Sequence, residues 1–104
     1  MTLEIVDLEA DRRFRALAGS VNPDVDALWL GGYAQAVWDG RDLITAYAHR
    51  FAGARVLEFG CNVGGTCITP SRLGSRVTAV DINSRRLSLA ELNAARYGAG
   101  RGRP

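Results

Sequence analysis

The sequence predicts an α/β protein built on a parallel sheet, and three observations carry that reading. A short apolar run, Arg55 to Phe59, stops abruptly in the bend Gly60-Cys61-Asn62-Val63-Gly64-Gly65, the pattern of a buried strand feeding a tight turn and then a helix. About twenty residues on, Arg76-Val77-Thr78-Ala79-Val80 is a second such run, and it ends in an acid, Asp81. The segment between the runs has the length of one crossover helix, so the two strands lie parallel. Glycines at the bend let backbone approach a ligand closely, and an acid at the carboxyl end of the next strand can accept hydrogen bonds from hydroxyl groups. This is the arrangement with which an open α/β sheet holds a nucleoside.

The remaining elements follow from caps, breakers and periodicity. Leu3, Ile5, Val6 and Leu8 lead into a charged segment with Phe14 and Leu17, which reads as a strand or extended arm followed by an amphipathic helix that stops near Gly19. Asn22-Pro23-Asp24-Val25-Asp26 has a capping residue, a proline suited to the first helical position and two acids for the positive end of the dipole, so a helix starts there. Gly31-Gly32 interrupts it, and Asp39-Gly40 breaks the chain after Trp38. Asp39 and Asp42 form a capping pair for one helix with Leu43, Ile44, Tyr47, Ala48 and Phe51 on its apolar side, ending at Gly53 and packing on the sheet.

After the bend, residues 65–73 give the crossover helix and Gly74 closes it. Pro70 falls inside that helix, which predicts either a kink or a short late turn capped by Thr69. Ser84 is the expected cap of the last helix, where Leu87, Ala90, Glu91 and Ala94 share a side, Leu89 and Leu92 widen the apolar surface and Gly98 ends the element. The resulting organisation is an N-terminal helical segment over residues 1–53, a strand-bearing unit over 54–97 and a flexible tail over 98–104.

Two kinds of glycine loop must be separated. A dinucleotide fingerprint needs Gly-x-Gly-x-x-Gly, because a pyrophosphate sits on bare amides at the helix N-terminus. Here the pattern is Glu58-x-Gly60-x-Asn62-x-Gly64, with an acid that would repel a diphosphate and Asn where the second glycine would fall. Asn is the non-glycine residue that most readily takes left-handed backbone, so the bend survives. Val56-Leu57-Glu58-Phe59-Gly60-Cys61-Asn62-Val63-Gly64-Gly65, followed by Val77-Thr78-Ala79-Val80-Asp81, closely resembles the first two motifs of the class I S-adenosylmethionine-dependent methyltransferases.

The resemblance covers roughly residues 54 to 97. It implies the N-terminal portion of a Rossmann-like methyltransferase fold, with helices preceding two recognisable parallel strands and S-adenosylmethionine as cofactor. By the same resemblance, Glu58, Gly60, Asn62 and Gly64 line the methionine side of the cofactor, while Asp81, with Ile82 beside it, binds the ribose. The family's sheet has about seven strands, so a truncated sheet with bare edges is expected, open to self-association and inactive in methyl transfer by itself. No catalytic residue or methyl acceptor is assigned. The alternatives are half of a nicotinamide-dependent oxidoreductase and a non-catalytic cofactor-binding or interaction module.

Composition excludes several other classes. With 104 residues, 47% of them hydrophobic, the chain can bury one small core. A net charge of +2 forms no continuous basic stripe and gives no nucleic-acid signature. No apolar stretch approaches the roughly 18 residues of a membrane span, and a cytoplasmic protein is expected. Cys61 and Cys67 match no zinc spacing and read as small packing residues. Glu58 could instead pair with Arg55 or Arg76, and Asp81 could simply cap the last helix. His49, Arg85 and Arg86 read as surface residues, and Trp29, Tyr33 and Trp38 as packing aromatics; the family resemblance implies that Tyr33 and Trp38 are the candidates to close over a cofactor.

Overall fold

The computed structural model describes residues 4–20 and 40–99. The expected helix from Asn22, the break at Gly31-Gly32, the cap at Asp39 and the aromatic residues Trp29, Tyr33 and Trp38 lie outside the described residues. Among the described residues, seven elements follow in chain order. They are α1 (Leu8–Ala18), α2 (Gly40–Ala46), α3 (Ala48–Phe51), β1 (Arg55–Phe59), α4 (Gly65–Arg72), β2 (Arg76–Val80) and α5 (Ser84–Arg96).

The two strands form the predicted parallel pair, in register from Arg55 opposite Arg76 to Phe59 opposite Val80. The backbone N–H of Cys61 donates to Val80 O at 3.0 Å, which carries the pairing one step into the bend. Alternation along the strands then sorts the side chains. Val56, Glu58, Val77 and Ala79 face the helices, while Arg55, Leu57, Phe59, Arg76 and Thr78 are exposed, Phe59 to 79%.

α1 begins where Asp7 Oδ1 accepts the Ala10 N–H at 3.0 Å, with Glu9 and Asp11 favourably placed in its first turn. Residues 4–7 are irregular rather than a strand, and their extended path is fixed by Val6 N–H and Asp7 N–H, which both donate to Arg96 O. The helix packs against α5, burying Ala10 and Phe14.

The single helix expected between Asp42 and Gly53 is instead two, broken at Tyr47 with φ −106° and ψ 28°. The Thr45 hydroxyl donates back to Arg41 O at 2.9 Å, a bond that loosens the helical ladder, and Leu43 and Tyr47, two of the residues expected on its apolar side, are exposed. α2 lies against α4 rather than forming its main contact with the sheet.

α4 runs unbroken through Pro70, which is buried, so Thr69 caps nothing there. The proline deletes one helical hydrogen bond, but its carbonyl accepts from Ser75 N–H at 3.0 Å and Leu73 N–H at 3.1 Å as the helix closes. At α5 the cap is Asn83, one residue before Ser84: its Oδ1 accepts the Arg86 N–H at 3.1 Å. Its backbone is extended, as a cap requires, whereas Ser84 is already helical.

The last helix ends as Gly98 predicts. Gly98 N–H donates to Ala95 O and Ala99 N–H to Ala94 O, a Schellman closure with Gly98 at φ +73°. The packed chain therefore extends to buried Ala99, two residues into the segment assigned to a tail. Three buried clusters fill the space between these elements. Phe14, Val63 and Leu89 join α1, bend and α5; Ile68, Tyr97 and Ala99 join α4 to the end of α5; Cys61, Cys67, Val77 and Ala90 seal the bend against the sheet. Among the described residues, no helix is long and apolar enough to cross a membrane.

Candidate functional site

The bend after β1 is built from alternating left-handed residues. Gly60, Asn62 and Gly64 have φ of +63°, +53° and +79°. A Cβ at Gly60 would meet nothing within 4 Å, whereas one at Gly64 would stand 3.0 Å from Ala90 Cβ. Gly60 therefore borders open space at the carboxyl end of the sheet, and Gly64 allows α5 to approach closely.

Asp81 faces this bend from the carboxyl end of β2. Its Oδ2 accepts the Asn62 N–H at 2.9 Å and its Oδ1 accepts the Asn83 N–H at 2.8 Å. These two bonds, the Asn83 one first, hold the carboxyl below the usual range, with help from the Arg86 charge and against some burial. Asp81 is thus ionised and shapes both the bend and the approach to α5, while the cap itself is Asn83. Arg86 is not simply solvated: its guanidinium donates to Asn62 Oδ1. Arg85 reaches Ser20 O at 3.1 Å.

Glu58 lies on the covered face of β1 and points at the first turn of α4. Its carboxylate accepts from the Thr66 hydroxyl and from Cys67 Sγ, the latter at 3.2 Å. An acid beside a helix N-terminus is stabilised by the dipole. Among the described residues no salt bridge joins Glu58 to Arg55 or Arg76. Burial pushes the Cys61 thiol up, and the Asp81 and Glu58 charges push it further, so it stays a protonated packing group.

The structure thus brings Glu58, Gly60, Asn62, Gly64 and Asp81 to one end of the sheet. Ile82 follows Asp81 at the same end of the sheet and is fully exposed. A cavity of about 300 Å³ between α4, β2 and α5 is lined by Gly64, Cys67, Val77, Leu87, Ala90 and Glu91 among others, and includes neither Glu58 nor Asp81. His49 is exposed, and the described residues contain no group of three metal-ligating side chains.

Sequence reasoning missed a second tier of residues beneath the bend. Asn93 is completely buried, and its Nδ2 donates to Val63 O at 2.7 Å. Arg96, 2% exposed, donates from Nε to Asn93 Oδ1 at 2.8 Å and from its guanidinium to Asp11 Oδ1 at 2.9 Å. The signal was present as a spacing, since Asn93 and Arg96 continue the helical row of Leu89 and so place polar groups on a buried stripe.

No protein family and no curated protein matches the chain.

Proposed function

We propose that the chain binds S-adenosylmethionine at the mouth formed by Gly60, Asn62, Gly64 and Asp81, as the cofactor-binding portion of a class I methyltransferase in a partial Rossmann-like fold. The observation that carries this reading is how the bend uses its own amides. Cys61 N–H donates to Val80 O, Asn62 N–H to Asp81, and Gly64 N–H to Cys61 O. A diphosphate needs free amides in such a bend, and it would also face the ionised Asp81. A ribose offers hydroxyl donors, and a carboxylate with lone pairs to spare accepts them.

The residues fit such a ligand. Open space at Gly60 lets backbone meet it without a side chain in between, and the left-handed Asn62 keeps the bend shape that the motif requires. The cofactor, when bound, supplies an activated methyl group on its sulfonium. The protein's own part is to position it: Asp81 holds the ribose side, the bend cradles the methionine side, and Glu58 fixes the first turn of α4 beneath.

Titration calorimetry with S-adenosylhomocysteine and with NAD tests the reading. Heat of binding with the first and none with the second is expected. Tighter NAD binding overturns it in favour of a nicotinamide site.

A further inference from the structure

We infer that Asn93 is a positioning residue for the bend, and that Arg96 and Asp11 hold it in place, so that α1 supports the cofactor mouth without touching it. The inference rests on the cofactor reading above. Val63 lies between two left-handed residues, and Asn93 is the side chain that donates to its carbonyl, at 2.7 Å from inside α5. An Asn amide in a buried site has two chemically distinct ends, and only one orientation satisfies both neighbours.

Arg96 sets that orientation, because a guanidinium can only donate and must face Oδ1, at 2.8 Å. The Nδ2 end is then turned to Val63 O. Arg96 is fixed in turn by three groups. Its guanidinium carbon lies 3.8 Å from the Phe14 ring centroid and 5.1 Å from that of Tyr97, and Asp11 accepts from it at 2.9 Å. Asp11 is locked as well, accepting from Arg15 Nε at 2.9 Å. Four polar residues thus run from the surface of α1 to a carbonyl of the bend, each bonded to the next.

Asn93→Asp separates positioning from packing. The carboxylate keeps the volume and the acceptor for Arg96 but has no donor for Val63 O. Amide hydrogen exchange on the full chain should quicken at Asn62 and Gly64, the bend amides bonded to Asp81 and Cys61 O, by about 3- to 10-fold, the value of one net hydrogen bond, with affinity for S-adenosylhomocysteine falling by a similar factor. Amides of β1 and β2 should keep their protection. Wild-type exchange at the bend in a folded Asn93→Asp protein overturns the inference.

Asp11→Ala, which removes the acceptor for Arg96, probes the far end of the relay and decides the matter if Asn93→Asp does not fold. Quickened exchange at Asn62 and Gly64 supports the coupling, and unchanged exchange there overturns it. Should the wild-type chain bind no S-adenosylhomocysteine, the cofactor reading fails, while the exchange comparison still decides the role of Asn93.

Discussion

Gly64→Ala asks how closely the bend and α5 are fitted. Gly64 caps α4 with φ +79°, and an added Cβ would lie 3.0 Å from Ala90 Cβ and 3.3 Å from Ala90 Cα. Left-handed backbone costs an L-residue about 1–2 kcal/mol. Pressing a methyl group into a packed helix adds about 1–3 kcal/mol. At Gly60, with φ +63° and no atom within 4 Å of the position a Cβ would take, the backbone cost acts alone. Both variants should be destabilised, then, with Gly64→Ala the worse by about 1–3 kcal/mol. In a domain of this size, each kcal/mol moves the unfolding midpoint by about 4–8 °C, so circular dichroism melts resolve the difference easily. Adding Ala90→Gly removes the nearest atom. Although glycine costs the helix about 1 kcal/mol, the double-mutant cycle should show a favourable coupling of about 1 kcal/mol. Equal midpoints for the two alanine variants, or no coupling to position 90, would refute the claim that close approach of α5 requires glycine at 64.

Asp81→Ala should weaken S-adenosylhomocysteine binding by about 1–3 kcal/mol in calorimetry, since the site loses a charged acceptor; unchanged affinity in a folded variant would leave Asp81 only its role in shaping the bend. Stability should also depend on acid. Burial pushes the Asp11 carboxyl up, but hydrogen bonds and charge from Arg15 and Arg96 outweigh it and hold the group below its usual range, as backbone bonds do for Asp81. Both carboxyls are lower in the folded than in the unfolded chain, so their contribution is complete above about pH 4 and is lost as pH falls through the folded values. Melting midpoints should fall more steeply below about pH 4 for the wild type than for Asp11→Asn, and parallel acid profiles would contradict this.

The parts of the fold written in local sequence were legible. Strand, bend, crossover helix and second strand sit where Arg55–Phe59 and Arg76–Val80 put them, and Gly98 ends the last helix with its own left-handed turn. Local competition explains the misses at element ends. Asn83 and Ser84 are both good caps, and the choice depends on which adopts extended backbone. At Tyr47 the apolar periodicity continues, yet Leu43 and Tyr47 on the expected apolar side are exposed, and the helix breaks there. Partners distant in sequence were harder to see. Arg96 meets Asp11 across 85 positions and Arg86 meets Asn62 across 24, and neither distance leaves a trace in periodicity.

The acids explain why a motif with few glycines can still build a tight bend. A carboxylate can hold a left-handed residue from outside by taking its amide, as Asp81 does for Asn62, so the middle position need not be glycine. Arg86 completes the clamp by binding the Asn62 side chain, and Glu58 fastens the far end through Thr66 and Cys67. The same bonds set the chemistry of the mouth. Amides spent on Asp81, Val80 and Cys61 cannot bind phosphate, and an ionised acid repels it. On the proposed cofactor reading, what remains is a concave backbone edged by an acceptor that favours hydroxyl groups over a diphosphate. Shape and selectivity thus share their residues, and Asp81→Asn is more informative than Asp81→Ala. The amide oxygen can still accept one of the two backbone N–H groups while the charge is gone, so a loss of cofactor affinity with the Asn62 amide still protected from exchange reports on the charge rather than on a collapsed bend.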